Sequence, residues 1–482
     1  MNLADLMPSG ATVTGDVDGI EIVAITADSR QAADGVLFAA MPGTRVDGAH
    51  FVPDALANGA AAVLAADSAV LDDCPVPVVR SSDPRRALAL MAAKFYGRQP
   101  ENAVAVTGTS GKTSVADFTR QIFGALGHQA ASMGTIGIVR PDGGVYGSLT
   151  TPDPVTLHGV IAGLADDGVT HLAFEASSHG LDQRRLDGVV LKAAAFTNLG
   201  RDHLDYHPTV EHYLAAKRRL FDTLLPEGAA AVINSDDPHA QEFLEAARQR
   251  KQSVLTVGHA DGTSLQLLAS EPSGFTQQIR FSHGGREHTA TLNLIGTYQA
   301  SNALMAAGLA LACDEEPAAV FAALHELAGV SGRLEVVGEA HGATIVVDYA
   351  HKPDALSAAL DALRPFAPGR LISVFGCGGD RDPGKRPIMG RISADKADLT
   401  IITDDNPRTE DPAAVRAAIL GSAPGAEEIP DRFEAIASAI SRARPGDVVL
   451  IAGKGHETGQ IVGDKVLPFS DHEAVAAVLR EF

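Results

Sequence analysis

The chain has 482 residues, which at roughly 100–200 residues per domain predicts about three domains. Apolar residues make up 45% and charged residues 21%, the composition of an ordinary globular protein with a sizeable core. The formal net charge of −21 argues against binding nucleic acid or an anionic membrane through excess basic residues, but not against an anionic small substrate in a cleft with local Arg and Lys.

The cysteines, the N-terminus and the apolar runs bear on the compartment. Cys74, Cys313 and Cys377 are few, odd in number and without metal-ligand spacing, which is typical of a reducing compartment. The opening MNLADLMPSG has neither a basic n-region nor an apolar h-region, so no signal peptide is predicted. No run approaches the ~20 apolar residues of a membrane span. We therefore expect a cytoplasmic protein without membrane insertion.

Residues 1–98 form the first predicted domain. The apolar runs GVLFAAM, AAAVLAAD and VPVVRS alternate with helical stretches, and this segment contains no compact catalytic motif. A helix over PRRALALMAAKFYG is predicted to end at Gly97, before the turn-like RQPEN, which sets the first boundary.

Residues 99–330 and 331–482 form the second and third predicted domains. In the second, AVAVT, HLAFEA, AAAFTN and AAVIN are buried-strand runs followed by turns and helical patterns, which is typical of a parallel sheet with crossover helices. From SVLTVG to TATLNL the alternation of polar and apolar residues predicts antiparallel strands, and YQASNALMAAGLALA predicts a helix. In the third domain ATIVVDYA, RLISVFG, LTIITD and DVVLIAG restart the pattern, so a second α/β sheet is expected.

The segment TGTSGKTS has the features of a phosphate-binding loop. It follows a predicted strand and opens a helix, and Gly108 and Gly111 allow a tight turn whose N–H groups face an anion. Lys112 can reach the β- and γ-phosphates, and the Thr113 hydroxyl can bind Mg²⁺. The loop is a shortened variant, because the standard spacing needs Gly where Val106 stands. The alternative is a Gly-rich turn with an exposed lysine, but the agreement of strand, turn and helix favours a nucleoside triphosphate with Mg²⁺.

Two further strand ends carry candidate ligands. Glu175 ends one strand, and Asn198, Asp202, His203 and Asp205 follow the next. Ligands in open α/β sheets bind at the carboxyl ends of the strands, so Glu175 and His203 are candidates for the cation on the phosphates. Mg²⁺ prefers oxygen ligands, and a lone His is often structural, so His203 is the less expected of the two.

A basic segment follows Ser177 after the strand that ends at Glu175. Gln183, Arg184 and Arg185 stand beside hydroxyl residues near the strand end, a combination that can recognise a carboxylate or a phosphate. A solvated charged loop explains Arg184 and Arg185 equally well.

Taken together, the motifs resemble those of the Mur ligase family, the ATP-dependent amide-forming enzymes of peptidoglycan synthesis. They occur in family order over essentially the whole chain: TGTSGKTS, LTTPDP, EASSHGLDQRR, TNLGRDHLDYH, YLAAKRRLF, GVSGRLEVV, VDYAHKPDAL, FGCGGDRDPGKRP, DDNPR and GKGHE. They are most similar to the members that add the third residue of the peptide to UDP-N-acetylmuramoyl-L-alanyl-D-glutamate.

The resemblance implies a fold and a mechanism. It implies an α/β protein with an N-terminal UDP-binding domain, a central P-loop ATPase with a parallel sheet plus a small antiparallel sheet, and a C-terminal Rossmann-like domain for the incoming amino acid. ATP would phosphorylate the γ-carboxylate of D-Glu, and the amine of the amino acid would attack the acyl phosphate. Lys112 and the metal ions would neutralise charge on the moving phosphoryl group.

The resemblance also assigns residues on the nucleotide side. The implied catalytic residues are Lys112, His203 and Lys217, and the implied Mg²⁺ ligands are Thr113, Glu175, His203 and Lys217, the last as a carbamate. From its pattern alone, Lys217 is typical of an ordinary lysine on a helix surface. The implied nucleotide contacts are Gly108, Thr109, Ser110, Gly111, Lys112, Thr113, Ser114, Asn302, Arg333, Asp348 and His351. The implied contacts to the UDP-sugar dipeptide are Ser29, Thr44, Arg45, Val46, Thr150, Thr151, Ser177, Gln183 and Arg185.

The motif TDDNPRTED points to the amino acid that is added. Its DNPR matches the form found in members that add meso-diaminopimelate, whereas lysine-adding members lack this Arg. Arg408 can bind the second carboxylate of diaminopimelate and repel the ammonium group of lysine. The contacts that the resemblance implies for this substrate are Arg381, Asp405, Asn406, Pro407, Arg408, Gly453 and Glu457. A solvent-exposed Arg at a helix start is the alternative for Arg408.

Some positions depart from the family pattern. Gly459 precedes Gln460 where a Tyr is usual, and Tyr298-Gln299 stands where Phe-Asn is common.

The substrates expected are small molecules, with no nucleic acid, and a monomer is expected.

Other readings compete with the diaminopimelate-adding ligase. They are a lysine-adding relative, the enzyme that adds D-Ala-D-Ala, a folylpolyglutamate synthase, a P-loop NTPase switch and a degenerate paralogue that only binds nucleotide sugar. The motif DNPR and the full N-terminal domain argue against the other ligases. The switch leaves GCGGDRD and GKGHE unexplained, and the intact Lys112, Glu175, His203 and Lys217 argue against a degenerate paralogue.

Overall fold

The structure is a computed structural model that describes residues 1–43, 46–71, 73–143, 145–146, 150–200, 202–203, 206–273 and 275–481. Thr44, Arg45 and Asp205, which the sequence singles out, lie outside the described residues. None of the helices in the described ranges combines the length and the apolar character needed to cross a bilayer.

Strands and helices alternate along the described chain. The strands are β1 (Thr12–Thr14), β2 (Ala24–Thr26), β3 (Val36–Ala40), β4 (Ala62–Ala66), β5 (Val78–Ser81), β6 (Asn102–Thr107), β7 (Ala130–Gly134), β8 (Gly137–Val139), β9 (Val145–Tyr146), β10 (His171–Glu175), β11 (Ala193–Phe196), β12 (Ala230–Asn234), β13 (Ser253–Gly258), β14 (Leu265–Ser273), β15 (Thr276–His283), β16 (Arg286–Leu292), β17 (Glu335–Ala340), β18 (Ala343–Asp348), β19 (Leu371–Phe375), β20 (Leu399–Ile402), β21 (Glu427–Glu428), β22 (Val448–Ala452), β23 (Gly459–Val462) and β24 (Lys465–Pro468). The helices are α1 (Leu3–Leu6), α2 (Val52–Ala57), α3 (Pro84–Tyr96), α4 (Lys112–Ala125), α5 (Pro154–Asp166), α6 (Ser178–Asp182), α7 (Val210–Arg219), α8 (Ala240–Gln249), α9 (Tyr298–Leu311), α10 (Pro317–Ala323), α11 (Pro353–Leu363), α12 (Lys385–Lys396), α13 (Pro412–Leu420), α14 (Arg432–Ser441) and α15 (Asp471–Leu479).

Two compact units are present in the chain. The first comprises Met1–Lys112, Gly127–Leu255 and Ala312–Asp314, and the second comprises Thr113–Leu126, Thr256–Leu311 and Glu315–Phe482. The predicted domain boundaries after residues 98 and 330 stay a prediction.

The N-terminal sheet of the first unit has the strand order β1-β5-β4-β3-β2. Strands β2 to β5 run parallel and β1 runs antiparallel to β5. Helix α3 follows this sheet: Asp83 caps it by accepting from the Arg86 N–H, Pro84 occupies its first position, and Gly97 ends it in the left-handed conformation. The predicted helix end at Gly97 is confirmed.

The second group of strands in the first unit surrounds β6. Strands β12, β11, β6, β10 and β7 lie side by side in that order and run parallel, and β8 and β9 continue antiparallel. Glu175 pairs in register with Val106, and Phe196 with Thr107, so these strands end at one edge. The strands are buried on both faces, and Phe196 stacks on Phe243 of α8 with ring centroids 3.7 Å apart. A shared edge of strand ends is where an α/β sheet places its ligands.

The second unit contains an antiparallel meander and a C-terminal sheet. Strands β14, β15 and β16 are antiparallel. The C-terminal sheet has the order β17-β18-β22-β19-β20-β21, with β17 antiparallel to β18 and the other pairs parallel. One core lies under α11, α12 and α13 and another under α14 and α15, as in a doubly wound fold. Strands β23 and β24 form a separate hairpin.

The predicted α/β fold class is confirmed, and each quoted strand run coincides with a strand. One prediction needs correction: β13 pairs with β14 in parallel, over Val257 and Gly258, although this region was predicted to be antiparallel. Alternation of polar and apolar residues has the same period in both kinds of strand, so it fixes the buried face but not the direction of the neighbour.

Candidate functional site

The glycine-rich loop connects β6 to α4, as the sequence predicts. Gly108 has a φ of +151°, and a Cβ there would overlap the hydroxyl oxygen of Thr197 at the end of β11. Gly111 also has a positive φ, of +84°. Thr113 and Ser114 lie in the first turn of α4 and are buried. The tight turn therefore depends on glycine at Gly108, where a side chain has no room, and on the positive φ of both glycines.

Asn198 fixes the shape of this loop. Its Oδ1 accepts from the Ser110 N–H at 2.9 Å, its carbonyl accepts from the Thr109 N–H at 2.8 Å, and its Nδ2 donates to the Ser110 carbonyl at 3.2 Å. The end of β11 thus holds the loop that follows β6. This contact joins two strand ends that the sequence placed at the same edge.

Two lysines converge on this loop within the first unit. Lys112 Nζ donates to the carbonyl oxygens of Gly108 and Thr109 at 2.9 and 3.0 Å. Lys217 Nζ donates to the same Gly108 oxygen at 2.7 Å and lies 4.3 Å from the centroid of the Tyr213 ring. Two ammonium groups on one carbonyl oxygen concentrate positive charge where the sequence predicts a phosphate.

Lys217 is not the surface lysine that its pattern alone indicated, because it is 1% exposed. Its neighbour Tyr213, one helical turn earlier, is bonded through its hydroxyl to Thr109 Oγ1 at 3.1 Å, and burial raises the pKa of Tyr213. The His203 ring also lies near Tyr213, at 6.2 Å between centroids, with its backbone at a φ of +54° and its N–H donating to Asp202. Sequence reasoning missed Tyr213, although the i, i+4 spacing in YLAAK places it beside Lys217.

Glu175 lies at the end of β10 and is 1% exposed. Its Oε1 accepts from the Thr135 N–H at 2.7 Å, and its Oε2 accepts from the Thr135 hydroxyl at 3.2 Å. The Thr135 hydroxyl also lies 3.0 Å from that of Thr150. The buried carboxylate is therefore oriented by the turn after β7, and Thr135 is a partner that the sequence did not reveal.

The residues assigned to the muramoyl dipeptide lie together at this strand end. Thr151 Oγ1 donates to the Glu175 carbonyl at 3.1 Å and accepts from the Ser177 N–H at 3.2 Å. Arg185 donates to the Thr151 carbonyl at 2.6 Å, and through Nε and Nη2 to Gln183 Oε1 at 3.2 and 2.7 Å. The structure thus brings together residues that are distant in sequence.

The N-terminal positions lie at another strand edge. Ser29 begins a short 3-10 turn after β2, and Val46 follows β3 with 53% of its surface exposed. Because β2 and β3 are parallel neighbours, both residues follow strand ends at the same edge of the N-terminal sheet. Thr44 and Arg45 lie outside the described residues.

In the second unit, Arg333 contacts Thr113, another predicted nucleotide position, and Tyr349. Its Nη2 donates to Thr113 Oγ1 at 3.4 Å, and its guanidinium carbon lies 5.0 Å from the centroid of the Tyr349 ring. Its Nε is buried and has no hydrogen-bond partner among the described residues. Asn302 lies on α9 and donates to Gln299 Oε1 at 2.8 Å, so the Gln that departs from the family pattern holds it.

Asp348 and His351 flank Tyr349 at the end of β18. The Asp348 carboxylate accepts from the N–H groups of Leu334 and Ala350, both at 2.7 Å. Burial raises the pKa of Asp348, against the opposing charge of Arg333. His351 Nδ1 lies 2.8 Å from the Tyr349 carbonyl, and burial lowers the pKa of His351 to about 4, so the ring is neutral at neutral pH.

Arg381 and Arg408 approach the same glycine. A Cβ on Gly378 would lie 2.7 Å from Arg408 Nη1 and 3.8 Å from Arg381 Cγ. Arg408 Nη1 donates to the Gly379 carbonyl at 2.8 Å, and the Arg408 N–H donates to the Ile461 carbonyl at 3.0 Å. Arg408 has a φ of +51°, so the hairpin β23–β24 holds its backbone in a conformation that it would rarely adopt by itself.

The other predicted amino-acid contacts lie on the adjoining loops. Asn406 Nδ2 donates to Glu457 Oε2 at 3.0 Å. Gly453 has a φ of +120°, and a Cβ there would lie 2.6 Å from Asp405 Oδ2. Pro407 is buried between Asn406 and Arg408. The structure therefore brings the motifs DNPR and GKGHE into one region of the second unit.

Three charged residues in this region were missed. Lys454 is 0% exposed and contacts Asn406 and Glu457. Arg432 and Asp471 form an ion pair at 2.7 Å whose side chains are both 0% exposed, and Arg432 Nη2 donates to the Ala452 carbonyl at 3.0 Å. Lys454 stands inside GKGHE and could have been found there. Arg432 and Asp471 each open a helix, a position that predicts exposure.

These features define a multi-domain α/β protein with a glycine-rich loop of the kind that binds phosphate. The sequence matches models described as the catalytic domain of the Mur ligase family over residues 21–96, the Mur ligase middle domain over 106–310 and the Mur ligase glutamate ligase domain over 332–455. The chain belongs to the Mur ligase family.

Its relatives include full-length ligases. The chain is 56% identical over 482 residues to the UDP-N-acetylmuramoyl-L-alanyl-D-glutamate--2,6-diaminopimelate ligase of Bradyrhizobium diazoefficiens, with 99% of each chain covered. It is 53% identical over 487 residues to the enzyme of the same name from Agrobacterium fabrum, covering 100% of this chain and 99% of the relative. A solved structure of a ligase with this name is 32% identical, superposes with a TM-score of 0.71 and covers 95% of both chains.

Proposed function

We propose that this chain is an ATP-dependent ligase that joins meso-2,6-diaminopimelate to the D-Glu γ-carboxylate of UDP-N-acetylmuramoyl-L-Ala-D-Glu in peptidoglycan biosynthesis. The similarity over the full length to 2,6-diaminopimelate ligases supports the reaction. The observation that supports the choice of amino acid is the approach of Arg408 Nη1 and Arg381 Cγ to Gly378, which places two arginine side chains beside one another, and a guanidinium group can bind a carboxylate.

A carboxylate is a poor electrophile until one of its oxygens becomes a good leaving group. ATP would supply the phosphoryl group that makes the γ-carboxylate an acyl phosphate. The loop N–H groups other than those of Thr109 and Ser110, which donate to Asn198, would hold the phosphates together with Lys112, since Lys112 already lies over the loop carbonyls. The amine of the amino acid would then form the amide and release phosphate.

Glu175, His203 and Lys217 are the proposed Mg²⁺ ligands of the first unit. The buried Glu175 carboxylate is an oxygen donor of the kind that Mg²⁺ prefers. Lys217 fits this set only as a carbamate, which would convert a buried cation into an anion. A ¹³C signal from protein equilibrated with labelled bicarbonate, present in the wild type and missing in Lys217→Met, checks this proposal. Equal signals from both proteins would refute it.

We further propose that the enzyme acts in the cytoplasm as a monomer on small-molecule substrates, and so contributes to cell shape and division. The net charge of −21 supports small-molecule substrates over nucleic acid.

The decisive measurement is phosphate release from ATP with UDP-N-acetylmuramoyl-L-Ala-D-Glu, comparing meso-diaminopimelate with L-lysine. We expect release only when diaminopimelate is present. Phosphate release with lysine but not with diaminopimelate would be consistent with a ligase but would refute diaminopimelate as its amino-acid substrate. If ATP turned over equally without either amino acid, an NTPase switch would be the better reading.

A further inference from the structure

The ammonium group of Lys454 contacts two residues of the proposed amino-acid site, Asn406 and Glu457, and has no assigned role. Its Nζ donates to Asn406 Oδ1 at 3.2 Å, to Glu457 Oε2 at 3.0 Å and to the Gly459 carbonyl at 2.6 Å. An ammonium group has three N–H donors, so these three oxygens satisfy it completely. We propose that Lys454 is a positioning residue that sets the geometry of Glu457 and Asn406 for the amino-acid substrate.

Asn406 connects Lys454 to the rest of the site. Its Oδ1 also accepts from the Ile461 N–H at 2.9 Å, while its Nδ2 donates to Glu457 Oε2 at 3.0 Å. The side chain is 5% exposed. Asn406 therefore acts mainly inside the protein, as a bridge between the motifs DNPR and GKGHE.

The hairpin β23–β24 continues the same network. Gln460 Nε2 donates to the Asp405 carbonyl at 2.7 Å, and the Gly463 N–H donates to the Arg408 carbonyl at 2.7 Å. Because Lys454 donates to the Gly459 carbonyl, it fixes the residue at which the hairpin starts. Lys454 therefore contacts the first residue of the hairpin whose backbone bonds to that of Arg408.

The two carboxylate oxygens of Glu457 differ in their hydrogen bonds. Oε2 accepts from both Lys454 and Asn406, whereas among the described residues Oε1 accepts no hydrogen bond. The Glu457 side chain is 33% exposed, and that of Lys454 is 0% exposed. Lys454 thereby neutralises the carboxylate from the buried side and leaves one oxygen for an amino group of the substrate.

This inference rests on the proposed function, and its test compares Lys454→Met with Lys465→Met. Lys465 lies on β24 of the same hairpin and is exposed, so it controls for the loss of a lysine charge. In the full-length chain we expect Lys454→Met to raise the KM for diaminopimelate by about tenfold to a hundredfold, as expected for a displaced binding group, with the KM values for ATP and the UDP substrate unchanged. Lys465→Met should leave all three values unchanged. An unchanged KM for diaminopimelate, or an equal rise for all three substrates, would overturn the proposal.

A second comparison tests whether Lys454 acts through Glu457. The variant Glu457→Gln should raise the KM for diaminopimelate, and the double variant Lys454→Met/Glu457→Gln should raise it far less than the product of the single effects. Multiplying effects would mean that the two residues act independently, which contradicts the proposal.

If Lys454→Met does not fold, Gln460→Ala tests the same network. Gln460 is half-buried and contacts the same loop, so this change should also raise the KM for diaminopimelate selectively, by a smaller factor. An unchanged KM in this variant would count against the network. A wild-type protein that releases no phosphate with diaminopimelate would instead refute the proposed function, so the two failures are distinguishable.

Discussion

Two buried lysines, Lys217 in the first unit and Lys454 in the second, contact different groups. Lys217 is 1% exposed and shares the Gly108 carbonyl oxygen with a second cation, Lys112. Lys454 is 0% exposed and contacts the Glu457 carboxylate and two neutral oxygens. Burial of a lysine is unusual in both cases, but the partners differ.

The comparison teaches that the partner, rather than burial, indicates the role of a buried charge. Two converging cations suit a polyanionic ligand and contribute little to folding, because like charges repel. A cation paired with a carboxylate is a fixed part of the structure, since removing either partner leaves the other buried and uncompensated. The first region should therefore tolerate charge removal without loss of stability, and the second should not.

The strongest test of the second region is Arg432→Met. The change leaves Asp471, which is 0% exposed, without its ionic partner, so the free energy of unfolding should fall by about 3–5 kcal/mol. Denaturant unfolding measures this loss. The double variant Arg432→Met/Asp471→Leu should lose less than the single variant, because no charge is then left buried. An unaltered unfolding midpoint in Arg432→Met would contradict the expected loss of stability in the second region.

In the first region, Lys112→Met should reduce kcat by about a hundredfold to a thousandfold, because a group that stabilises the moving phosphoryl group is lost. In protein whose Lys217 is unmodified, its free energy of unfolding should stay the same or rise, since one of two converging cations is removed. Phosphate release and denaturant unfolding of the same protein measure the two quantities. The control is Lys251→Met, a lysine whose side chain is 76% exposed and which should change neither. A large loss of stability in Lys112→Met would contradict the contrast.

Arg408→Met sharpens the comparison within the second region, because it alters recognition more than folding. Loss of a charge-assisted contact of about 1.5–3 kcal/mol should lower the preference for diaminopimelate over lysine by about tenfold to a hundredfold. Competition between the two amino acids in the phosphate-release assay gives this ratio. Arg391→Met on α12, which removes an exposed arginine, should leave the ratio unchanged. A preserved preference in Arg408→Met would assign the selection to other residues.

The effect that is spread over the widest range of conditions is a pH dependence of stability from His351. Burial lowers the pKa of His351 from 6.5 to about 4, so between these values the unfolded chain binds a proton that the folded chain does not. The contribution to stability is therefore intact above pH 6.5 and falls towards pH 4, by at most about 1.4 kcal/mol per pH unit. Unfolding curves across this range should show a shallower slope for His351→Gln.

His472 gives the opposite sign at higher pH, between the unfolded-state pKa of 6.5 and the raised folded-state pKa. Its hydrogen bond to Glu335 raises its pKa, so it stabilises the folded state at low pH and loses that effect as the pH rises through the folded-state pKa. Because this loss occurs above the unfolded-state pKa of 6.5, the stability of His472→Gln should fall less than that of the wild type as the pH is raised from 6.5. Identical slopes in both variants and the wild type would mean that neither ring titrates differently on folding.

Much of the fold and part of the site were predictable from sequence, because both depend on the pattern of residues within short segments. Buried-strand runs followed by helical patterns predict parallel strands, and the strand ends then predict where Thr107, Glu175 and Asn198 meet. The ordered motifs predicted the family. They also named residues such as Asp405 and Arg408, whose assigned contacts stay proposals.

Only the tertiary structure decided which charges are buried and which groups they contact. Lys454 is bonded to Asn406, which is 48 positions away, and Arg432 to Asp471, which is 39 positions away. Lys217 follows a helical pattern that is equally consistent with solvent, and β13 alternates as an antiparallel strand would. Periodicity describes one element at a time, whereas burial and partners depend on which element packs beside it.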